Sequence, residues 1–164
     1  MGNTNWIDPE DPGERYRVLY VQMEALLSGE NDCCANLANA SALLNSALPN
    51  VSWVGFYRMK NGVLVLGPFQ GKPACLRIAP GKGVCGTAVQ KNETQIVADV
   101  RNFPGYIACD SDSISELVIP LHSECRAVGV LDVDSPISGR FTESDARDLE
   151  KIAKLIEKSC LWAE

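Results

Sequence analysis

Histidine is nearly absent from this 164-residue chain, which has one, His122, and no CxxC or HxxxH pair. A short turn therefore cannot aim two such ligands at one ion, which argues against structural zinc. Neighbouring Cys33 and Cys34 diverge by about 100° on a helix, so they chelate poorly. His122 stands at the end of a strand-like run with no nucleophile-elbow sequence beside it, which argues against Ser-His-Asp catalysis and leaves an exposed turn residue. Basic charge is short as well, 15 Lys and Arg against 21 Asp and Glu, and it forms no cluster, so nucleic acid is not an expected partner. No apolar run approaches the roughly 20 residues that cross a bilayer. The first residues are acidic and contain proline where a secretion signal would be basic and then apolar. Met1-Gly2 has Trp6 where a myristoylation motif wants Ser or Thr. Gly81-x-Gly83 completes no GxGxxG fingerprint, so nucleotide binding is not expected from it.

What remains is an ordinary globular composition, 46% hydrophobic and 22% charged, with seven cysteines. Together with the missing secretion signal, the odd thiol count points to a reducing compartment, and the cytoplasm is the expected location. Residues 1–13, with Asp8-Pro9 and Asp11-Pro12-Gly13, read as an irregular lead-in to a single domain over 14–164. Helical spacing of Val18, Val21, Met23, Ala25 and Leu26 predicts a helix from Arg15 to Leu27, stopped by Ser28-Gly29. A second helix runs from Cys33 to Leu48 behind Asp32. The period then changes to two over Val51–Tyr57, and Asn61-Gly62 predicts a hairpin into Val63–Leu66. A Gly/Pro-rich connection over 67–86 leads through a short helix to Ile96-Val97, then to strands at 117–121 and 127–133. Thr142 with Asp145 caps a closing helix. The expected architecture is α+β, a central antiparallel sheet with helices on its faces.

Three residue groups invite chemistry. Cys33, Cys34 and Cys160 fall in helical patterns, where a free thiol is usually a small buried hydrophobe. Cys75, Cys85 and Cys109 fall in the connections, where function concentrates. Asp132 and Asp134 flank Val133 and so share a strand face, with Glu116 able to join them. Like charges that close raise at least one pKa and keep a carboxylic acid available as a proton donor, although a solvated strand end fits the pattern equally well. Trp53 and Tyr57 also share a face, as a pocket wall or as core packing.

Taken together, Trp53–Tyr57, Leu66–Cys75, Gly81–Gly86, Phe103–Ser111, Ser115-Glu116 and Gly129–Pro136 resemble the free methionine-(R)-sulfoxide reductases, enzymes with a GAF-domain fold. The resemblance spans about residues 15–160. It implies a six-stranded antiparallel sheet with helices on both faces and a site under the long loops. Carried over by position, it makes Cys109 the attacking cysteine, Cys75 its resolving partner and Cys85 a second thiol that pairs or relays. Trp53 and Tyr57 become the aromatic pocket around the S-methyl end. Glu116, Asp132 and Asp134 hold the amino acid and the sulfoxide oxygen, with Glu116 and Asp134 as proton donors. Cys125 and Arg126 inherit no role. No bound cofactor or metal is implied, only an external dithiol such as thioredoxin. The expected partners are the free sulfoxide and that reductant, with a homodimer allowed. The rival expectation is a GAF module that senses a small molecule or redox state without catalysis.

Overall fold

A computed structural model describes residues 8–107 and 112–162. Helix α1 spans Arg15–Leu27 and ends where Gly29 takes a positive φ of 84°. Helix α2, Cys33–Ala47, begins behind Asp32, whose side chain accepts from the Ala35 N–H at 2.8 Å. That satisfies a donor the first turn would otherwise leave open. Strands β1 (Trp53–Lys60) and β2 (Val63–Gln70) pair through Asn61-Gly62, both at positive φ, the conformation of a tight hairpin turn. The remaining elements are β3 (Arg77–Ile78), α3 (Gly83–Lys91), β4 (Gln95–Val97), β5 (Ser115–Ser123), β6 (Arg126–Ser135) and α4 (Glu143–Ser159). The Thr142 side chain accepts from the Asp145 N–H and Asp145 accepts from the Thr142 N–H, the expected capping box.

The six strands form one sheet in the order β3-β2-β1-β6-β5-β4, every pair antiparallel. Period-2 alternation splits its side chains between two cores. Val54, Phe56, Leu117, Ile119, Leu131 and Val133 meet α1, α2 and α4 on one face. Trp53, Tyr57, Val118 and Val130 meet α3 on the other, beside Val84, Cys85 and Ala88. Two layers of helix on a sheet exhaust its apolar surface, except where polar residues interrupt the α3 face.

Three sequence expectations need correction. The 67–86 connection is more ordered than its composition suggests. Strand β2 runs on to Gln70, Arg77–Ile78 adds an edge strand, and α3 begins at Gly83, so Cys85 lies in a helical first turn. Glycine there serves close packing, because a Cβ on Gly86 would lie 2.3 Å from the Ala79 carbonyl oxygen. His122 is a strand residue, only 20% exposed at the side chain. Its backbone N–H donates to Glu157 at 2.8 Å, and Nε2 lies 2.5 Å from Asn92 Oδ1. Cys34 is exposed, unlike Cys33 and Cys160, because it turns off the buried stripe of α2.

Candidate active site

The polar interruption on the α3 face is built by strand register. Asp132 stands opposite Gly55 on β1 and Val118 on β5, and Asp134 stands opposite Trp53 and Glu116. Residues 116, 132 and 134 have the parity of Val118 and Val130, so all three carboxyls enter the second core. They are 6%, 6% and 8% exposed. Asp132 and Asp134 therefore do not form a solvated strand end. Gly55, opposite Asp132, lets the aromatic side chains close in, since a Cβ there would meet Phe69 Cβ at 2.3 Å and Trp53 Cη2 at 2.8 Å.

Helix α3 adds the thiol. Cys85 Sγ donates to Asp132 Oδ2 at 3.2 Å and lies 3.9 Å from Glu116 Oε1. Burial first, and then the charges of Asp132 and Glu116, push the Cys85 thiol well above its ordinary range, so it keeps its proton. Burial likewise lifts Glu116 well above a normal carboxyl, reinforced by Asp132 and Asp134, and the protonated group donates toward Asp132. Asp132 rises to about 7, with burial as the main cause and the bonds from Cys85 and Glu116 holding it down. The cluster thus keeps protons on Glu116 and Cys85, both directed at Asp132. The second oxygen of Asp132, Oδ1, is buried with no hydrogen-bond partner among the described residues, as is Ser113 Oγ.

The Cys85, Glu116 and Asp132 ligand atoms lie within 4.8 Å of one another, close enough to converge on a cation. Two of the three would have to lose protons that this environment retains, which opposes divalent metal binding.

An aromatic wall faces the acids. Trp53 stacks on Phe69 at 5.2 Å and on Tyr57 at 6.0 Å, and its Nε1–H donates to the Lys72 carbonyl at 3.1 Å. Gly71 permits that clasp, because at φ 133° a Cβ would sit 2.5 Å from Trp53 Cδ1. The resulting cavity, about 30 Å³, is lined by Trp53, Tyr57, Cys85, Glu116, Asp132 and Asp134, and its rim includes Lys82, Tyr106 and Ile107.

Most of the expected residues therefore converge. Cys75 is half-buried, packs against the same core and is disulfide-bonded. Cys109 lies outside the described residues. Across the rim, Lys72 forms an ion pair with Asp112. Sequence reasoning missed Ser113, Ile78 and Val84 as lining residues. Nothing in the local pattern marks Ser113, whereas the apolar spacing of Ile78 and Val84 reads only as core.

The GAF domain family matches residues 26–159, and the chain belongs to it. It is 50% identical over 151 residues to Protein YtsP of Bacillus subtilis, covering 91% of this chain and 93% of that one. It is 49% identical over 145 residues to the free methionine-R-sulfoxide reductase of Escherichia coli, covering 88% of each. Among solved structures, the free methionine-R-sulfoxide reductase of Neisseria meningitidis in complex with its substrate superposes with a TM-score of 0.89 at 45% identity. That match covers 94% of this chain and 93% of the other. The expected family and the six-stranded antiparallel α+β fold are both borne out.

Proposed function

We propose that this chain reduces free L-methionine-(R)-sulfoxide to L-methionine, using thiols as the electron source. The observation that carries this reading is the buried acid cluster. Glu116 holds a proton beside the aromatic wall, and the adjacent Asp132 oxygen lacks a donor. A sulfoxide sulfur is a poor electrophile until its oxygen receives a proton or a strong hydrogen bond, which a neutral carboxyl in a dry pocket supplies. An α-ammonium group would satisfy Asp132 Oδ1 and repay the cost of burying its charge. Trp53 and Tyr57 offer an apolar seat for the S-methyl end.

In the proposed cycle, the Cys109 sulfur takes the sulfoxide oxygen, with Glu116 or Asp134 protonating that oxygen as the S–O bond breaks. Methionine leaves and Cys109 becomes a sulfenic acid. Cys75 then attacks the oxidised sulfur, water departs, and a Cys75–Cys109 disulfide remains. That Cys75 is disulfide-bonded supports its assignment as a redox thiol. An external dithiol of the thioredoxin class returns both thiols by exchange. Cys85, held protonated by its acids, serves as a donor to Asp132 and a reserve resolving thiol. All electrons are carried by sulfur, so the balance requires no bound cofactor.

A thioredoxin-coupled NADPH-consumption assay with free L-methionine-(R)-sulfoxide tests the proposal. Consumption is expected with the free R epimer and not with the S epimer or a peptide-bound sulfoxide. A folded, reduced protein that binds the sulfoxide without consuming NADPH would instead be a ligand-sensing GAF module.

A further inference from the structure

The catalytic proposal leaves two buried thiols unused. Cys33 is the first residue of α2 and Cys160 is the C-cap of α4, and both belong to the core on the sheet face away from the pocket. Hydrogen bonds on either side hold their segments together. The Leu161 N–H donates to the Asn31 carbonyl at 2.9 Å. Asn36 Nδ2, itself buried, donates to the Ser159 carbonyl at 2.7 Å and to the Glu30 carbonyl at 3.0 Å. These ties bring the ends of α2 and α4 together with both thiols buried in one core, where each is the first influence on the other's acidity.

We propose that Cys33 and Cys160 form a second oxidisable dithiol, a modification site that peroxide converts to a disulfide joining the start of α2 to the end of α4. The environment divides the labour between the two sulfurs. Cys33 is drawn down to about 7, chiefly by the Cys160 S–H. Burial opposes that shift, Arg58 and Lys60 of β1 assist it, and Asp32 resists it. Its position at a helix N-terminus favours the anion as well. Cys160 is raised for the complementary reason, because its proton is committed to Cys33. One nucleophilic thiolate and one resolving thiol is the arrangement a dithiol needs to close without a second protein.

The chemistry balances with hydrogen peroxide as oxidant. The Cys33 thiolate attacks one peroxide oxygen, the O–O bond breaks, and hydroxide leaves to take up a proton as water. Cys160 then attacks the sulfenic sulfur of Cys33, the S–O bond breaks, and a second water departs. The two sulfurs together lose two electrons, and peroxide gains them. Both thiols are nearly buried, at 6% and 7% exposed, which admits a molecule the size of peroxide more readily than a protein reductant. This step is separate from sulfoxide reduction, because Cys33 and Cys160 lie on the sheet face opposite the core against which Cys75 packs.

The test uses the full reduced chain, titrated with hydrogen peroxide, blocked with iodoacetamide and mapped by mass spectrometry. A linked Cys33–Cys160 peptide, two hydrogens lighter than the reduced pair, is expected before exposed Cys34 is half oxidised. Independent sulfinic acids at the two positions, or unmodified Cys33 when Cys34 is fully oxidised, would overturn the proposal. A second readout avoids dependence on disulfide closure. Alkylation of Cys33 in the native chain is expected to reach half its limiting rate near pH 7, and Cys160→Ala is expected to move that midpoint up by about one unit or more, since the Cys160 S–H is its main support. An unchanged midpoint in a folded Cys160→Ala protein would also refute it.

Discussion

Cys85 Sγ donates to Asp132 Oδ2 at 3.2 Å, which makes the thiol of α3 a proton store for the carboxylate of β6. A thiol held this way is a poor resting nucleophile, because attack requires the thiolate that its surroundings suppress. The relationship therefore favours a supporting role for Cys85 and is consistent with the proposed cycle, in which Cys109 attacks. Cys109→Ser is expected to abolish turnover. Cys75→Ser should release one equivalent of methionine and then stall, and Cys85→Ser should continue to turn over. Single-turnover methionine yield distinguishes the three, and full activity in Cys109→Ser would remove the proposed cycle.

Substitutions among the acids should separate binding from chemistry. Glu116→Gln is expected to lower kcat by on the order of 10²-fold or more, the usual scale for a positioned general acid. Asp134→Asn tests the second candidate donor in the same way. Asp132→Asn should act mainly on KM, because the unsatisfied Oδ1 is assigned to the substrate ammonium. Near-normal kcat in both Glu116→Gln and Asp134→Asn would mean that a thiol or water delivers the proton.

Stability without substrate should decline toward alkaline pH. Asp132 titrates near 7 in the folded chain against about 3.9 when unfolded, so between those values the native state binds the extra proton. The stabilisation from that protonated form is complete below about pH 4 and is lost as pH rises through about 7. Glu116, also raised by burial, adds to the loss. Urea midpoints measured from pH 5 to pH 8 should fall in the native chain and fall less steeply in Asp132→Asn. Equal slopes would contradict the buried-acid assignment.

The aromatic wall depends on a glycine. Gly71→Ala places a Cβ 2.5 Å from Trp53 Cδ1 and 2.9 Å from the Ser52 carbonyl, at a φ that disfavours any side chain. A stability loss of about 1–3 kcal/mol is expected from the backbone strain alone. Displacement of Trp53 should raise KM further, and loss of Trp53 fluorescence anisotropy on the variant would report the loosened ring. An unchanged KM would show that the ring does not seat the substrate.

Reduction of the Cys75 disulfide should free the segment between Gly71 and Gly81. A cavity of about 30 Å³ accommodates water and is too small for an amino acid. Faster amide hydrogen exchange over 71–81 is expected after dithiothreitol treatment, and identical exchange in both redox states would show that entry to the site does not depend on this bond.

Local chemistry alone determined much of the frame. Helix α1 has the expected limits, Asp32 and Thr142 cap as their side chains require, and Asn61-Gly62 turns the hairpin, because each depends on interactions within a few residues. Alternation also placed Asp132, Asp134 and Val133 on their correct faces. Burial was beyond its reach, and burial is what turns those acids from a solvated strand end into part of a closed carboxyl and thiol cluster. Their environment comes from Gly55 on β1, Cys85 on α3 and Glu116 on β5, up to 79 positions away in the chain. Likewise, the helical patterns around Cys33 and Cys160 signalled buried thiols, while their meeting rests on hydrogen bonds between residues 31 and 161 and between 36 and 159. Dielectric environment and through-space pairing are sums over distant neighbours, so only the tertiary structure could decide which carboxyls stay protonated and which thiols face each other.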